Sequence, residues 1–104
     1  MGEEVRHVVH GYLFTWDSAK ARANLAKHGV SFEEACEVFF FPYYDMKDAT
    51  VANEQRWAFI GYSKRGRLLH TIAVEQRDEA WRIVSAREVT LKERNRYEEK
   101  DDSD

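Results

Sequence analysis

Two short segments of this sequence carry side chains that could bind an anionic ligand or exchange a proton with it. Lys27-His28-Gly29 lies where one helix is expected to end and another to begin, so an ammonium and an imidazole are adjacent at the joint. Far downstream, residues 82–87 read Arg-Ile-Val-Ser-Ala-Arg, a buried strand pattern with an arginine at each end and a hydroxyl between them. Lysine and arginine are the side chains that contact phosphate oxygens. These two segments are therefore the first candidates for a functional site.

The two halves of the chain differ in charge, which the formal net charge of -3 conceals. Residues 1–55 contain five Lys or Arg and nine Asp or Glu, whereas residues 56–97 contain ten and five. The tail, residues 98–104, contains one lysine and five acids. A basic second half suits a polyanion or an acidic partner. The alternative interpretation is that these charges only solvate the outer faces of strands and a helix.

Length and composition predict one domain in residues 1–97, followed by an acidic tail, residues 98–104, that we expect to be disordered. The chain has 104 residues, 43% of them hydrophobic, which is enough to bury a core. Cys36 is the only cysteine, so an internal disulfide and a thiolate zinc cluster are excluded. No apolar stretch approaches the roughly 18 residues that cross a bilayer, and no leader pattern opens the chain. We therefore expect a cytoplasmic protein with no membrane partner.

The first third of the chain predicts a strand followed by a helix. Val8–Trp16 is rich in β-forming residues, with Gly11 as a bulge or bend inside the strand. Asp17 suits the N-cap of a helix that runs to about His28, and Gly29 suits the left-handed position that ends it. The positions at core spacing are Ala19, Ala23, Ala26 and Val30.

A second helix is predicted to follow at once. Ser31-Phe32-Glu33-Glu34 has the capping-box pattern, in which a hydroxyl and a carboxylate bind the free N–H groups of the first turn. The apolar face of this helix consists of Phe32, Ala35, Cys36 and Phe39. Phe41-Pro42 is predicted to end it, because proline lacks an amide donor and restricts the residue before it. Residues 43–55 are interpreted as a loop that leads into a strand edge.

Three short β-type runs come next, at residues 56–63, 67–75 and 81–87. Lys64-Arg65-Gly66 predicts a hairpin turn with its glycine at positive φ, and residues 76–80 predict a longer connection. Both faces of the middle run carry apolar residues, so we expect a central strand that is covered on both sides. Thr90-Leu91-Lys92-Glu93 is another capping-box pattern, and it begins a closing helix that reaches about Tyr97.

The resulting order of elements, βααβββα, predicts an α+β fold. Two helices from the first half of the chain and one C-terminal helix would pack on a small, mostly antiparallel sheet of about four strands. No internal repeat or linker divides the chain.

The order and spacing of many short segments resemble those of the BrnT family, the toxin component of a bacterial type II toxin-antitoxin module. Each segment alone is weakly specific, but together they extend from Phe14 to Tyr97. The segments that carry the resemblance are Phe14-Thr15-Trp16-Asp17, Lys20, Asn24, residues 27–32, Glu34-Ala35, Val38-Phe39, Pro42, Glu54-Gln55-Arg56, Ile60-Gly61-Tyr62-Ser63, Gly66-Arg67, residues 82–87 and Glu93.

This resemblance implies a RelE-like fold and an endoribonuclease that inhibits growth by cleaving RNA. It also implies a protein partner, a BrnA-type antitoxin that carries a DNA-binding module and neutralises the toxin in a hetero-oligomer. Contact with DNA would then be indirect, through the antitoxin. No metal and no other cofactor is expected.

Metal-independent RNA cleavage needs a base for the 2′-hydroxyl proton, a cation for the phosphorane charge and an acid for the leaving 5′-oxygen. The candidates for catalysis are Lys27, His28, Glu54, Arg56, Ser85 and Arg87, and those for RNA binding are Arg67 and Arg82. The lysine, the histidine and the glutamate could act as base or acid, while the arginines could hold a phosphate through paired donors. Ser85 and Arg87 are two residues apart, so both can point to one phosphate. One catalytic site requires all six candidates to converge.

Each candidate also has a structural interpretation. Lys27 and His28 lie in the last turn of a helix, where cations complement the helix dipole. Glu54 and Arg56 could form an exposed ion pair along a strand edge. Ser85 could serve only to bind a backbone group. At the level of the whole chain, the alternative to an enzyme is a non-catalytic module with a decayed toxin site that binds nucleic acid or an antitoxin.

The remaining histidines and the tryptophans are interpreted as surface or packing residues. Their spacing matches no metal site, and tryptophans at alternating strand positions usually belong to a core. These residues are His7, His10, His70, Trp16, Trp57 and Trp81.

Overall fold

The computed structural model describes residues 2–40 and 45–102, and these residues form one six-stranded sheet with three α-helices. The strands are β1 (Glu4–Val9), β2 (Tyr12–Asp17), β3 (Asp45–Asp48), β4 (Trp57–Tyr62), β5 (Leu68–Glu75) and β6 (Trp81–Glu88). The α-helices are α1 (Ser18–His28), α2 (Phe32–Ala35) and α3 (Leu91–Asp102), and short 3₁₀ turns span Cys36–Phe39 and Arg77–Glu79.

The strands lie in the order β1-β2-β6-β5-β4-β3, and each neighbouring pair is antiparallel except β2 and β6, which are parallel. The predicted α+β class and the mostly antiparallel sheet are confirmed. The predicted count of about four strands is wrong, and the order βααβββα omits two strands, one before α1 and one before β4.

The first missed strand comes from a hairpin at the N-terminus. The predicted single strand Val8–Trp16 is interrupted at His10 and Gly11, whose φ angles are 50° and 83°. Two successive positive φ angles form the tight turn that matches the twist of antiparallel strands. Gly11 therefore reverses the chain instead of bending it, and β1 pairs along the whole of β2.

The predicted ends of α1 are confirmed. The Asp17 carboxylate accepts a hydrogen bond of 3.0 Å from the Lys20 backbone N–H, which otherwise has no partner in the first turn. Gly29 has a φ of 71° and donates its N–H to the Leu25 carbonyl at 2.8 Å. Both caps are local, which is why the sequence pattern was sufficient to find them.

The predicted core face of α1 is wrong in part. Ala23 and Ala26 are exposed, while Asn24 is buried and Ala21 is half-buried. The helix is rotated from the predicted orientation because the buried amide of Asn24 has backbone partners inside the protein. Its Nδ2 donates to the Val30 carbonyl at 3.0 Å.

The second helix is a short piece that tightens into a 3₁₀ turn. The Ser31 hydroxyl accepts a hydrogen bond of 3.1 Å from the Glu34 N–H, which confirms the predicted N-cap. The Glu34 carboxylate binds Ser63 and Arg67, so the reciprocal half of the capping box is replaced by tertiary contacts. The 3₁₀ turn ends at Phe39, and the predicted stop at Phe41-Pro42 lies outside the described residues.

The second missed strand, β3, lies inside the predicted loop 43–55. It pairs antiparallel with β4, from Asp45 opposite Ile60 to Asp48 opposite Trp57. Its short length and polar composition gave no strand pattern, so the pairing with β4 determines its conformation.

The predicted meander of β4, β5 and β6 is confirmed, including the positive φ of 83° at Gly66. Strand β5 is central, as predicted, with β6 and β4 on its two sides. The residues Leu69, Thr71 and Ala73 on one face of β5 are buried, whereas His70, Ile72 and Val74 on the other face are only half-buried. The second face is therefore covered only in part.

The sheet thus has two unlike faces. The helix-covered face packs against α1, α2 and the first 3₁₀ turn, and its buried strand residues include Phe14, Trp16, Phe59, Leu69, Ala73, Ile83 and Ala86. We call the opposite face the open face, and its central residues are His70, Ile72, Val74, Arg82, Ser85 and Arg87. Helix α3 covers one end of the open face, where Tyr97 packs with Ile60 and Leu68.

The predicted capping box of α3 is confirmed in both directions. The Thr90 N–H donates to a Glu93 carboxylate oxygen at 2.8 Å, and the Glu93 N–H donates to the Thr90 hydroxyl at 3.1 Å. The helix continues to Asp102, beyond the predicted end at about Tyr97. Disorder of the tail stays a prediction. Within the described ranges, no helix is long and apolar enough to cross a membrane.

Candidate functional site

The predicted site residues lie in three separate places. The first is the helix corner, where α1 ends at His28 and α2 begins at Phe32. Lys27 is exposed, and His28 is half-buried one turn beyond Asn24 on the face of α1 that packs on the sheet. Both residues therefore belong to the helix-covered side of the molecule. They do not share a face of the sheet with Arg87, which points to the open face.

The second place is the connection between β3 and β4. Arg56 Nε lies 2.6 Å from a Glu54 carboxylate oxygen, so these two residues form the ion pair that was the structural alternative. Arg56 precedes Ile60 by four positions, or about 13 Å along a strand. Since Ile60, His70 and Arg87 are level with one another across β4, β5 and β6, the Glu54–Arg56 pair is far from Arg87.

The third place is the open face, where a β-bulge collects residues that a regular strand would separate. Ile72 pairs with Ser85, but the next residue of β5, Ala73, pairs with Ile83, so Val84 is the extra residue. Arg82 and Ser85 are an odd number of positions apart and would lie on opposite faces of a regular strand. The bulge brings Arg82, Ser85 and Arg87 to the open face together.

Arg87 is held by the first turn of α3. Its Nη1 and Nη2 atoms donate to the two carboxylate oxygens of Glu93 at 2.8 and 3.0 Å, and Nη1 also donates to the Glu88 carbonyl at 3.2 Å. These hydrogen bonds lower the pKa of Glu93 to about 2 and raise the pKa of Arg87. Both groups are therefore charged at neutral pH. The paired hydrogen bonds fix the plane of the guanidinium, which keeps donors available on a half-exposed surface.

Sequence reasoning missed His70, which lies directly opposite Arg87 on β5 and points to the same open face. Burial lowers the pKa of His70, the positive charges of Arg87 and Lys47 lower it further, and Glu93 opposes the shift. The imidazole is therefore mostly neutral at pH 7. A histidine among alternating apolar residues of a central strand gives no local signal of function, and only the register with β6 reveals its neighbour.

Arg67, a predicted RNA-binding residue, joins β5 to the corner between α1 and α2. Its guanidinium forms two hydrogen bonds with the Glu34 carboxylate and donates to the Gly29 carbonyl at 3.0 Å. The Ser63 hydroxyl donates to the same carboxylate at 2.7 Å, and Arg67 also lies 3.5 Å from Glu88. Arg67 therefore forms a structural ion pair with Glu34 at the helix corner. Its contact with RNA stays a prediction.

Arg82 lies on the open face at the far end of β6. It is opposite Val74 and next to Thr15 of β2, and its Nη1 is 3.7 Å from a Glu4 carboxylate oxygen. The Arg82 guanidinium is half-exposed and its contact with Glu4 is long, so it can also bind a second anion. In the part of the chain that the structure describes, no three His, Cys, Asp or Glu side chains converge as a metal site would require.

Residues 16–93 match the family described as ribonuclease toxin, BrnT, of type II toxin-antitoxin system, and the chain belongs to this family. The chain is also similar to the ribonuclease toxin BrnT of Brucella abortus, known from a crystal structure at 1.1 Å resolution. The two share 25% sequence identity with a TM-score of 0.60, over 73% of this chain and 94% of that chain. No curated protein matches the sequence.

Proposed function

We propose that this chain is an active endoribonuclease that inhibits bacterial growth as the toxin of a type II toxin-antitoxin module. In the proposed reaction, a ribose 2′-hydroxyl attacks the adjacent phosphate, and the products end in a cyclic phosphate or a 3′-phosphate. No metal ion takes part. The cytoplasm, which holds RNA and keeps Cys36 reduced, is the proposed compartment. A RelE-like fold stays a prediction.

The observation that supports this proposal best is the orientation of Arg87. Glu93 holds its guanidinium at 2.8 and 3.0 Å beside the open face, and Ser85 lies two residues away on the same face. A preorganised cation stabilises the charge that develops on a phosphorane, because it need not reorient during the reaction. The open face of β6 is therefore the proposed site of RNA cleavage.

The residues of β6 receive distinct roles in this proposal. Arg87 holds the scissile phosphate, and the Ser85 hydroxyl binds a non-bridging oxygen of that phosphate or the ribose beside it. Arg82 binds a neighbouring phosphate, since an RNA strand that lies along β6 would contact both arginines. The four candidates elsewhere, Lys27, His28, Glu54 and Arg56, do not converge with Arg87 as one six-residue site would require, so they remain separate proposals.

The proposed partner is a BrnA-type antitoxin encoded next to this chain. Membership in a type II toxin family implies a protein that neutralises the toxin. We propose that the two proteins form a hetero-oligomer, and that contact with DNA occurs only through the antitoxin. Inducible expression in a bacterial host, with and without the neighbouring open reading frame, tests this role. Growth inhibition that the neighbour relieves would support it, and normal growth with the chain alone would contradict it.

Cleavage of a labelled RNA by the purified chain in EDTA tests the enzyme. The wild-type protein should produce cyclic-phosphate or 3′-phosphate ends, and Arg87→Ala should produce them about 100-fold to 1,000-fold more slowly. Arg22→Ala is the matched control, because Arg22 is exposed on α1, on the other side of the sheet. RNA binding without cleavage by the wild-type protein would favour the alternative, a non-catalytic binding module.

A further inference from the structure

We propose that His70 is the general base of the ribonuclease reaction, the group that removes the proton from the attacking 2′-hydroxyl. This inference rests on the proposed function and adds a residue to its site. His70 and Arg87 occupy paired positions on β5 and β6 and point to the same open face. Side chains at such positions have Cβ atoms about 5 Å apart, so an imidazole beside Arg87 would reach a ribose whose phosphate Arg87 binds.

The surroundings of His70 suit a base. Among the side chains that the structure describes, the charged groups that face it are Arg87 from β6, Glu93 from α3 and Lys47 from β3, while Ile60, level with it on β4, is apolar. The two cations favour the neutral imidazole, which is the form that accepts a proton. His70 is half-buried, so its ring is positioned by neighbours yet open to a ligand on this face.

None of the candidate bases that were named from the sequence combines these properties. Glu54 is paired with Arg56 near the start of β4, far along the strand from Arg87. His28 and Lys27 lie on the helix-covered side of the sheet. Of these four residues, His70 is the one that shares the open face and the level of Arg87.

The reaction is balanced without a further reactant. His70 takes the 2′-hydroxyl proton as the bond from the 2′-oxygen to phosphorus forms and the bond from phosphorus to the 5′-oxygen breaks. Arg87 stabilises the charge on the non-bridging oxygens. The leaving 5′-oxygen takes a proton from solvent, and the imidazolium later returns its proton to solvent. The products are a 2′,3′-cyclic phosphate and a 5′-hydroxyl.

The test compares wild type, His70→Gln and His70→Asn in RNA cleavage from pH 5 to pH 8. The wild-type kcat/KM should rise with pH through an apparent pKa below the ordinary histidine value and then level off. Each His70 variant should lose about 100-fold to 10,000-fold in kcat, with a flat pH profile. His7→Gln is the control, because the His7 ring contacts Trp16 on the helix-covered face, opposite Phe14.

A second measurement separates proton transfer from positioning. A non-cleavable 2′-O-methyl oligonucleotide should bind His70→Gln as tightly as it binds the wild-type protein. In the wild-type protein, this oligonucleotide should shift the imidazole NMR signals of His70 but not those of His7. Cleavage by His70→Gln with an unchanged pH profile would overturn the proposal and leave the ribonuclease function intact. A wild-type protein that cleaves no RNA would overturn both.

Discussion

The side-chain amide of Asn24 binds both backbone groups of Ala86. Asn24 Nδ2 donates to the Ala86 carbonyl at 2.8 Å, and the Ala86 N–H donates to Asn24 Oδ1 at 3.2 Å. An amide that pairs in this way imitates a neighbouring strand, and it fastens α1 to β6 at the residue between Ser85 and Arg87. The helix thereby fixes the backbone of the proposed site from the opposite side of the sheet.

Asn24→Ala is expected to destabilise the fold by about 2–4 kcal/mol, because it leaves buried backbone groups without partners. Ala86 and Val30 are 1% and 0% exposed, so water cannot replace the amide. Urea denaturation measures the loss. Asn53→Ala, at an exposed position between β3 and β4, is the control and should change stability little. Equal stability of the two variants would contradict the role given to Asn24.

Arg67→Ala is expected to lower the free energy of unfolding by about 3 kcal/mol, since it leaves the Glu34 carboxylate buried without its main partner. The Glu34 side chain is only 7% exposed, and hydrogen bonds from Arg67 and then Ser63 lower its pKa. Arg65→Ala is a matched control on the same carboxylate, because Arg65 is 71% exposed and 3.7 Å away. That control should cost less than about 1 kcal/mol. Similar losses in the two variants, measured by thermal unfolding, would refute the prediction.

Acid should weaken the fold in part through Glu93. Hydrogen bonds from Arg87 lower the pKa of Glu93 from 4.5 to about 2. Since the folded pKa is the lower one, the ion pair stabilises the fold fully above pH 4.5, and this stabilisation is lost as pH falls toward 2. We expect the ion pair to contribute less than about 1 kcal/mol to the free energy of unfolding, because the Arg87 and Glu93 side chains are 35% and 29% exposed.

Glu93→Gln separates this contribution from the others. The amide oxygen can still accept from the Thr90 N–H, but it has no charge to titrate. The stability difference between pH 6 and pH 3, from urea curves, should be smaller in this variant than in wild type. Glu98→Gln is the control, as its contact with Arg94 is 3.9 Å long and exposed. A pH dependence unchanged by Glu93→Gln would contradict the assignment.

The two predicted cationic segments should contribute unequally to RNA cleavage. Arg87→Ala is expected to lower kcat/KM about 100-fold to 1,000-fold, and Arg87→Lys by less, since lysine keeps the charge but not the planar pair of donors. His28→Ala, on the other side of the sheet, should have the smaller effect. An assay at fixed salt concentration ranks the three variants. A loss in His28→Ala equal to that in Arg87→Ala would return the site to the helix corner.

Local patterns identified the helix caps, the meander and the turn at Gly66, because each depends on a few adjacent residues. The hairpin at His10 and Gly11 was missed, since this pair is not the Asn-Gly or Asp-Gly pair that is typical of a two-residue turn. Strand β3 was missed because its pairing with β4, and not its composition, makes it a strand. The first error concerns a local turn without the usual residues, and the second concerns a strand whose conformation depends on its pairing with β4.

The candidate site was predicted only in part, because its geometry depends on the pairing between strands. Ser85 and Arg87 were recognised from one strand, but His70 lies on another and becomes a neighbour only through the pairing of β5 with β6. The bulge at Val84 could not be read from the sequence either. It decides that Arg82 shares a face with Arg87, whereas simple alternation along β6 would separate them.

The capping box of α3 has a consequence for how this chain can change by mutation. The carboxylate that begins the helix also orients the guanidinium proposed to hold the substrate. A substitution at position 93 would therefore alter thermal stability and the proposed ribonuclease activity at once. Selection on one property at this position acts on the other, so a less active variant with unchanged stability must arise elsewhere in the chain.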